Sequence, residues 1–256
     1  FGADLGAEKF MDIKCGYGNL TPNVIVLVAT IRALRHHGGA KKDEYNTPSM
    51  DKITKGFQNL EKHIENCKKF GITPVVAINH FPTDSAEEIE YVQAQCAKLG
   101  VKAVVSYGFA KGGEGTKELA QAVCDVIDEG KNNFKPLYDW NLSVEDKIHK
   151  IATEIYGADA VEYSPKARTQ LKMILSLGYD KLPICMAKTQ KSLSDKETLV
   201  GRPRGFTINV REFEFAAGAG FIIPILGDMM RMPGLPVVPA SEHMDIDNNG
   251  KISGLS

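Results

Sequence analysis

An excess of charge of either sign is missing from this sequence: 31 Lys and Arg stand against 32 Asp and Glu, a net charge of -1. Without a general field, neither nucleic acid nor an anionic membrane surface is attracted, and any anionic ligand has to be held by local groups. Long apolar runs are missing too. Val24-Ile25-Val26-Leu27-Val28-Ala29 and Phe221-Ile222-Ile223-Pro224-Ile225-Leu226 fall far short of the ~20 residues a membrane-crossing helix needs, and no signal peptide precedes them, so a soluble cytoplasmic protein is expected. The five cysteines, Cys15, Cys67, Cys96, Cys124 and Cys185, are odd in number, widely spaced and free of any CxxC pair. That excludes a zinc ribbon or dithiol redox centre and suits a reduced compartment.

What is present is globular. A 43% hydrophobic content over 256 residues can bury one large core or two modest ones. The β-branched run Val24-Ile25-Val26-Leu27-Val28-Ala29 has the pattern of a strand buried on both faces of a parallel sheet, and Pro74-Val75-Val76-Ala77-Ile78-Asn79 and Val101-Lys102-Ala103-Val104-Val105-Ser106 repeat it. Helical patterns lie between them. One covers 50–70, with Ile53, Phe57, Leu60 and Ile64 at three- and four-residue spacing; another covers 84–99, opened by Asp84 as N-cap with Glu87 three residues on.

Strand, helix, strand, helix implies βαβ units and a doubly wound sheet. A further helix follows Gly115 to about Gly130, and a turn-rich stretch at 131–141 could divide subdomains. Ser143 caps the next helix, which ends near Gly157; a strand Ala160-Val161-Glu162-Tyr163 follows, and Ser164-Pro165 starts another helix. Beyond Leu182 come an alternating strand, Phe206-Thr207-Ile208-Asn209-Val210, and a tail rich in Gly and Pro.

Ligands of open α/β sheets bind beyond the carboxyl ends of the strands. There the sequence places Asn79-His80-Phe81-Pro82-Thr83-Asp84, and after the next strand Ser106-Tyr107-Gly108-Phe109-Ala110-Lys111-Gly112-Gly113-Glu114-Gly115. Two adjacent strands thus each carry an aromatic residue just past their ends, an arrangement able to sandwich a planar ring, while Lys111 and the glycines offer a cation and backbone N–H groups to a carboxylate or phosphate. The alternative is structural: a helix-capping turn at Thr83 and Asp84, and a glycine turn with both Phe side chains in the core.

Other motifs carry less. Gly218-Ala219-Gly220 lacks the GxGxxG form of a dinucleotide fingerprint, which argues against a Rossmann dehydrogenase, and close backbone packing explains it better. His36-His37-Gly38-Gly39 reads as a helix C-terminus with Gly beyond it, since adjacent histidines point apart; no metal is assigned. Asp245-Ile246-Asp247-Asn248-Asn249-Gly250 imitates half a calcium loop but has Ser256 where a bidentate Glu should stand, so a surface turn is expected. No GxxxxGK[ST] phosphate cradle occurs.

The opening Phe1-Gly2-Ala3-Asp4-Leu5-Gly6-Ala7-Glu8-Lys9-Phe10, with Asp12-Ile13-Lys14-Cys15, closely resembles an internal signature of formate–tetrahydrofolate ligases. The resemblance continues in family order through Val28-Ala29-Thr30-Ile31-Arg32-Ala33-Leu34, His37-Gly38-Gly39, the Asn79 and Ala110 segments, Lys188-Thr189-Gln190, Gly218-Ala219-Gly220-Phe221-Ile222 and Met232-Pro233-Gly234-Leu235-Pro236. It implies a P-loop NTPase-like, doubly wound, mostly parallel α/β sheet with smaller α/β subdomains: 1–70 as the remainder of a large nucleotide-binding domain, 71–188 as the folate-site domain, and 189–256 as a C-terminal subdomain and tail.

By the same resemblance, formate and ATP, with magnesium, give formyl phosphate, which the N10 nitrogen of tetrahydrofolate attacks to yield 10-formyltetrahydrofolate. A monovalent cation such as potassium stimulates the family, and a homotetramer is implied. Phe81, Pro82 and Phe109 would bind folate, Phe1 and Gly2 would lie near formyl phosphate, and Asn79, Lys111, Gly112 and Gly113 would touch nucleotide or pterin. The chain is expected to be the C-terminal part of a longer enzyme, inactive without its own N-terminal portion and that portion's phosphate-binding loop; a non-catalytic folate-binding module is the alternative. Two positions depart from the pattern: Phe109 stands where bacterial members usually have Trp, and Gly16 where the family's Lys-Cys-Arg has Arg.

Overall fold

The structure is a computed structural model that describes residues 2–227 and 238–254. Phe1, the Met232-Pro233-Gly234-Leu235-Pro236 motif and Ser256 lie outside the described residues.

The chain opens with an irregular helix in which wide π turns, Gly2–Ala7 and Phe10–Lys14, alternate with tighter ones and run into α1 (Cys15–Gly18). Mixing the two windings brings the repeat near about four residues per turn, so every fourth side chain returns to one side. Asn19 ends the helix in the left-handed region (φ 48), a conformation Asn tolerates better than most residues.

β1 (Val26–Ala29), β2 (Val75–Asn79) and β3 (Ala103–Ser106) then form an all-parallel sheet in the order β1-β2-β3. The connections are α2 (Ile31–His37), α3 (Met50–Lys69) and α4 (Ala86–Lys98). Two crossovers stepping the same way across a parallel sheet put their helices on the same face. Ile53, Phe57, Leu60 and Ile64 of α3 accordingly share a core with Leu27, Ala29, Val76 and Ile78. Each such side chain contributes about 1.5–3 kcal/mol by leaving water. A short helix α5 (Gly108–Lys111), a 3-10 turn (Gly112–Thr116) and α6 (Lys117–Glu129) follow β3; Ala122 packs with Val75 and Val104 on the opposite face, so β2 and β3 are covered on both sides.

α7 (Val144–Lys150), capped by Ser143, continues through Ile151–Tyr156 to a left-handed Gly157. A second sheet orders β4 (Ala160–Tyr163), β5 (Thr207–Ala216) and β6 (Phe221–Leu226), parallel then antiparallel, and α8 (Pro165–Ser176) starts at Ser164 as N-cap with Pro165 behind it. Its core joins Ile148, Ile151, Ile155, Leu171, Ile174, Ile208, Val210 and Phe213 with Met11 and Cys15 from the N-terminal helix.

The fold is α/β, and it differs from the sequence expectations in three places. β1 is buried on one face only, because Val26 and Val28 are 40% and 64% exposed where α6 does not cover them. The N-cap of α4 is Ser85, not Asp84: Ser85 and Glu88 form a reciprocal capping box, whereas Asp84 accepts the Phe81 N–H through Oδ2 at 2.8 Å. The last long strand begins at Thr207 and runs on to Ala216. Gly218, Ala219 and Gly220 make the hairpin turn between β5 and β6, and Tyr17 Oη donates to the Gly220 carbonyl at 2.6 Å. The calcium-like segment is an exposed hairpin pairing Asp245–Ile246 with Ile252–Ser253, in which Asp247 Oδ1 accepts the Asn249 and Lys251 N–H groups.

Candidate functional site

The carboxyl ends of β1, β2 and β3 lie side by side, with Ala29 in register with Ile78 and Asn79 with Ser106. The segments that follow these strands therefore leave the sheet along one edge. Asn79 is the last residue of β2 and half-buried; His80 donates its N–H to the Ser106 carbonyl at 3.1 Å, which ties the two strand exits together. Phe81 is half-buried and Pro82 exposed. Phe109, on α5, is 94% exposed. The reading that buries both phenylalanines in the core is therefore excluded for Phe109 and only half fits Phe81.

The glycine segment is wound rather than loose. Tyr107 donates its N–H to the Gly115 carbonyl at 2.9 Å and Thr116 Oγ1 donates to the Gly113 carbonyl at 2.9 Å. Gly112 is left-handed (φ +56), and a Cβ at Gly112 or Gly113 would meet open space, so their backbone is accessible. Lys111 is exposed with Nζ 4.8 Å from the Tyr107 ring centroid; the Tyr107 and His80 rings lie 4.8 Å apart. Arg32, in the first turn of α2, holds its guanidinium 5.5 Å from the Phe81 ring centroid. Arg32, His80 and Tyr107 were not singled out by sequence reasoning; the signal available was that all three follow strand ends within three residues.

A second polar group lies under the N-terminal helix. Asp4, Glu8 and Asp12, four residues apart, are buried on its inner side. Asp4 pairs with Lys188 at 2.7 Å, and the Lys188 ammonium also reaches the Thr189 carbonyl at 3.1 Å, the Ser192 carbonyl, and the face of Tyr156, 4.9 Å from its centroid. Asp12 Oδ1 accepts the Leu137 N–H at 2.7 Å, while Asp12 Oδ2, both Glu8 oxygens and Tyr156 Oη have no hydrogen-bond donor or acceptor partner among the described residues. Burial raises the Glu8 carboxyl well above the ordinary range, and the Asp12 charge adds to it; burial likewise raises Asp12 to about 7. Both shifts favour the protonated carboxyl, because a buried charge has no water to solvate it. Gly2 (φ +65) starts this helix, two residues before Asp4.

Both histidines of the pair make structural hydrogen bonds. His36 Nδ1 bonds Tyr45 Oη at 2.7 Å, and His37 Nδ1 accepts the Gly201 N–H at 3.1 Å, with burial lowering His37 to about 4. Among the described residues no three His, Cys, Asp or Glu side chains are grouped to hold a metal, and no helix is long and apolar enough to cross a membrane.

The strand exits of this parallel sheet carry an amide, two phenylalanines, cations and open glycine backbone, at the edge beyond which open α/β sheets hold their ligands. The family model for formate–tetrahydrofolate ligase matches residues 1–256, so the chain belongs to the formate–tetrahydrofolate ligase family. The family's ligases work in one-carbon metabolism on formate, tetrahydrofolate and ATP.

Proposed function

We propose that this chain supplies the folate-binding surface of an ATP-dependent formate–tetrahydrofolate ligase, with the pterin held between Phe81 and Phe109 and bordered by Pro82. The observation that carries the reading is the 94% exposure of Phe109 beside a strand exit whose neighbour presents Phe81. An exposed large aromatic at a ligand edge gains most when a planar ring covers it, whereas free in water it contributes nothing to the core. Asn79, Lys111, Gly112 and Gly113, which follow or end the same two strands, are assigned to nucleotide or pterin contacts.

The chemistry divides in two. A formate oxygen attacks the γ-phosphorus of magnesium-bound ATP, the bond to ADP breaks, and formyl phosphate forms; the N10 lone pair then attacks the formyl carbon, phosphate leaves and N10 loses its proton. Cations and backbone donors suit the acyl phosphate, with Phe1 and Gly2 assigned beside it, and aromatic faces suit the pterin. The sequence carries no GxxxxGK[ST], so we assign the grip on the ATP phosphates to another part of a longer polypeptide, and residues 1–256 alone are expected not to turn over. A homotetramer in the cytoplasm, stimulated by a monovalent cation such as potassium, completes the proposal.

Phe109→Trp in the full-length ligase tests it, read as the difference from the parent protein, whose emission includes Trp140. Tetrahydrofolate should quench the added emission at concentrations that saturate turnover, and ATP alone should not. Emission indifferent to tetrahydrofolate would remove Phe109 from the site.

A further inference from the structure

We propose that Arg32 is an oxyanion-binding residue of the site: its guanidinium stacks on Phe81 and offers its edge donors to a carboxylate or phosphoryl group carried by a substrate. The inference rests on the rim being the folate site. Two arginines three residues apart on α2 make the contrast. Arg35 is fully buried and its donors are engaged: Nε reaches Glu88 Oε1 at 2.9 Å, Nη2 reaches Glu88 Oε2 at 2.5 Å and the Thr83 carbonyl at 3.2 Å, and Nη1 reaches the Tyr45 carbonyl at 2.8 Å. Arg32 is half-buried and, among the described residues, has no hydrogen bond or ion pair; its guanidinium carbon lies over the Phe81 ring, 5.5 Å from the centroid.

A guanidinium cannot lose its charge near neutral pH and carries five N–H donors, and none of the Arg32 nitrogens is among the buried unpartnered atoms, so its donors are open to solvent and to an arriving ligand. Lying over an aromatic ring satisfies the π face of the guanidinium but none of the donors, which point outward in its own plane. That is the geometry that receives a planar carboxylate or a phosphoryl group through two parallel hydrogen bonds. Asp84, in the loop that carries Phe81, accepts the Phe81 N–H through Oδ2 and has no ion pair with Arg32. Every substrate of the proposed reaction brings an oxyanion to this edge: formate its carboxylate, ATP its phosphates, and tetrahydrofolate its glutamate tail.

The test compares Arg32→Met, Arg32→Lys and Phe81→Ala in the full-length ligase, with Michaelis constants for ATP, formate and tetrahydrofolate at two ionic strengths. Arg32→Met should raise the constant of one substrate at least about tenfold, the scale of a charge-assisted hydrogen bond, and flatten its salt dependence. Arg32→Lys should recover part of the loss. A rise confined to tetrahydrofolate, and absent with a pterin substrate lacking glutamate, assigns the tail carboxylate; a rise confined to ATP or to formate assigns that group. Unchanged constants in Arg32→Met while Phe81→Ala raises that of tetrahydrofolate would overturn the inference and leave the folate site standing. So would an equal rise for all three substrates with a lowered melting temperature, which marks a packing role. An unchanged tetrahydrofolate constant in Phe81→Ala would overturn the folate reading itself, and this inference with it.

Discussion

The indole of Trp140 lies against the backbone of Gly16, so that a Cβ at position 16 would come within 2.5 Å of Trp140 Cζ2. The ring is anchored there: Nε1 donates to the Asp12 carbonyl at 3.0 Å and the Tyr17 ring is 4.7 Å away. The Arg that the family pattern carries at this position has no room while Trp140 stays. Gly16→Ala should therefore destabilise by about 1–3 kcal/mol through overpacking. Trp140→Ala should relieve most of that penalty in the double variant, although it is costly by itself. Denaturant unfolding of the four proteins in this cycle reads the coupling; additive effects would show that the indole does not set residue 16.

The Arg35–Glu88 pair joins α2 to α4, and Glu88 also accepts the Ser49 N–H at 2.9 Å and the Ser85 hydroxyl at 2.7 Å. Burial alone would raise Glu88, but the hydrogen bonds from Arg35, Ser49 and Ser85 and the Arg35 charge reverse it and hold the carboxyl at about 2. Because the folded value lies below the unfolded one, near about 4.3, the contribution is complete above the unfolded value and is lost as pH falls through about 2. Glu88→Gln leaves a buried guanidinium without its counter-charge and should cost about 3–5 kcal/mol at pH 7. Urea midpoints from pH 7 down to 2 should show the parent converging on the variant in acid; a constant gap would contradict the linkage.

Glu8 and Asp12 act with the opposite sign. Their folded values are raised, so the stability they lend is complete below the unfolded carboxylate range near about 4 and is lost as pH rises through about 7, where Asp12 titrates in the fold. Glu8→Gln places a neutral amide where a carboxyl is buried and so removes one charge that folding must desolvate above neutral pH. Calorimetry at pH 8 should show a melting temperature higher by ~2–4 °C for each kcal/mol recovered. A lower value at pH 8 would mean that Glu8 is ionised and paired.

How far these features could be seen in the sequence depends on whether their cause is local. α3, the Ser143 cap, the Ser164-Pro165 start and the glycine ends of α2 and α6 were legible because caps and periodicity act within a few residues. The start of α4 was misplaced by one because Asp84 with Glu87 and Ser85 with Glu88 are equivalent in sequence; Arg35, 53 residues away, claims Glu88 and decides between them. The exposed face of β1 was not legible, since Val26 and Val28 read the same whether or not a helix covers them. Of the rim, Phe81 and Phe109 announced themselves as aromatics past strand ends. Arg32 did not, because nothing local separates its open guanidinium from the engaged one of Arg35. The Asp4, Glu8 and Asp12 spacing was visible, but its burial depends on Lys188 and Leu137, far along the chain.

The most direct measurement is equilibrium binding of tetrahydrofolate and of ATP to the full-length ligase carrying Phe81→Ala or Phe109→Ala. Each variant should bind tetrahydrofolate about 1–3 kcal/mol more weakly, by analogy with loss of an aromatic stacking partner from a planar base, while ATP affinity stays within twofold. Both variants keeping the parent's affinity for tetrahydrofolate, or losing tetrahydrofolate and ATP equally, would contradict the aromatic sandwich.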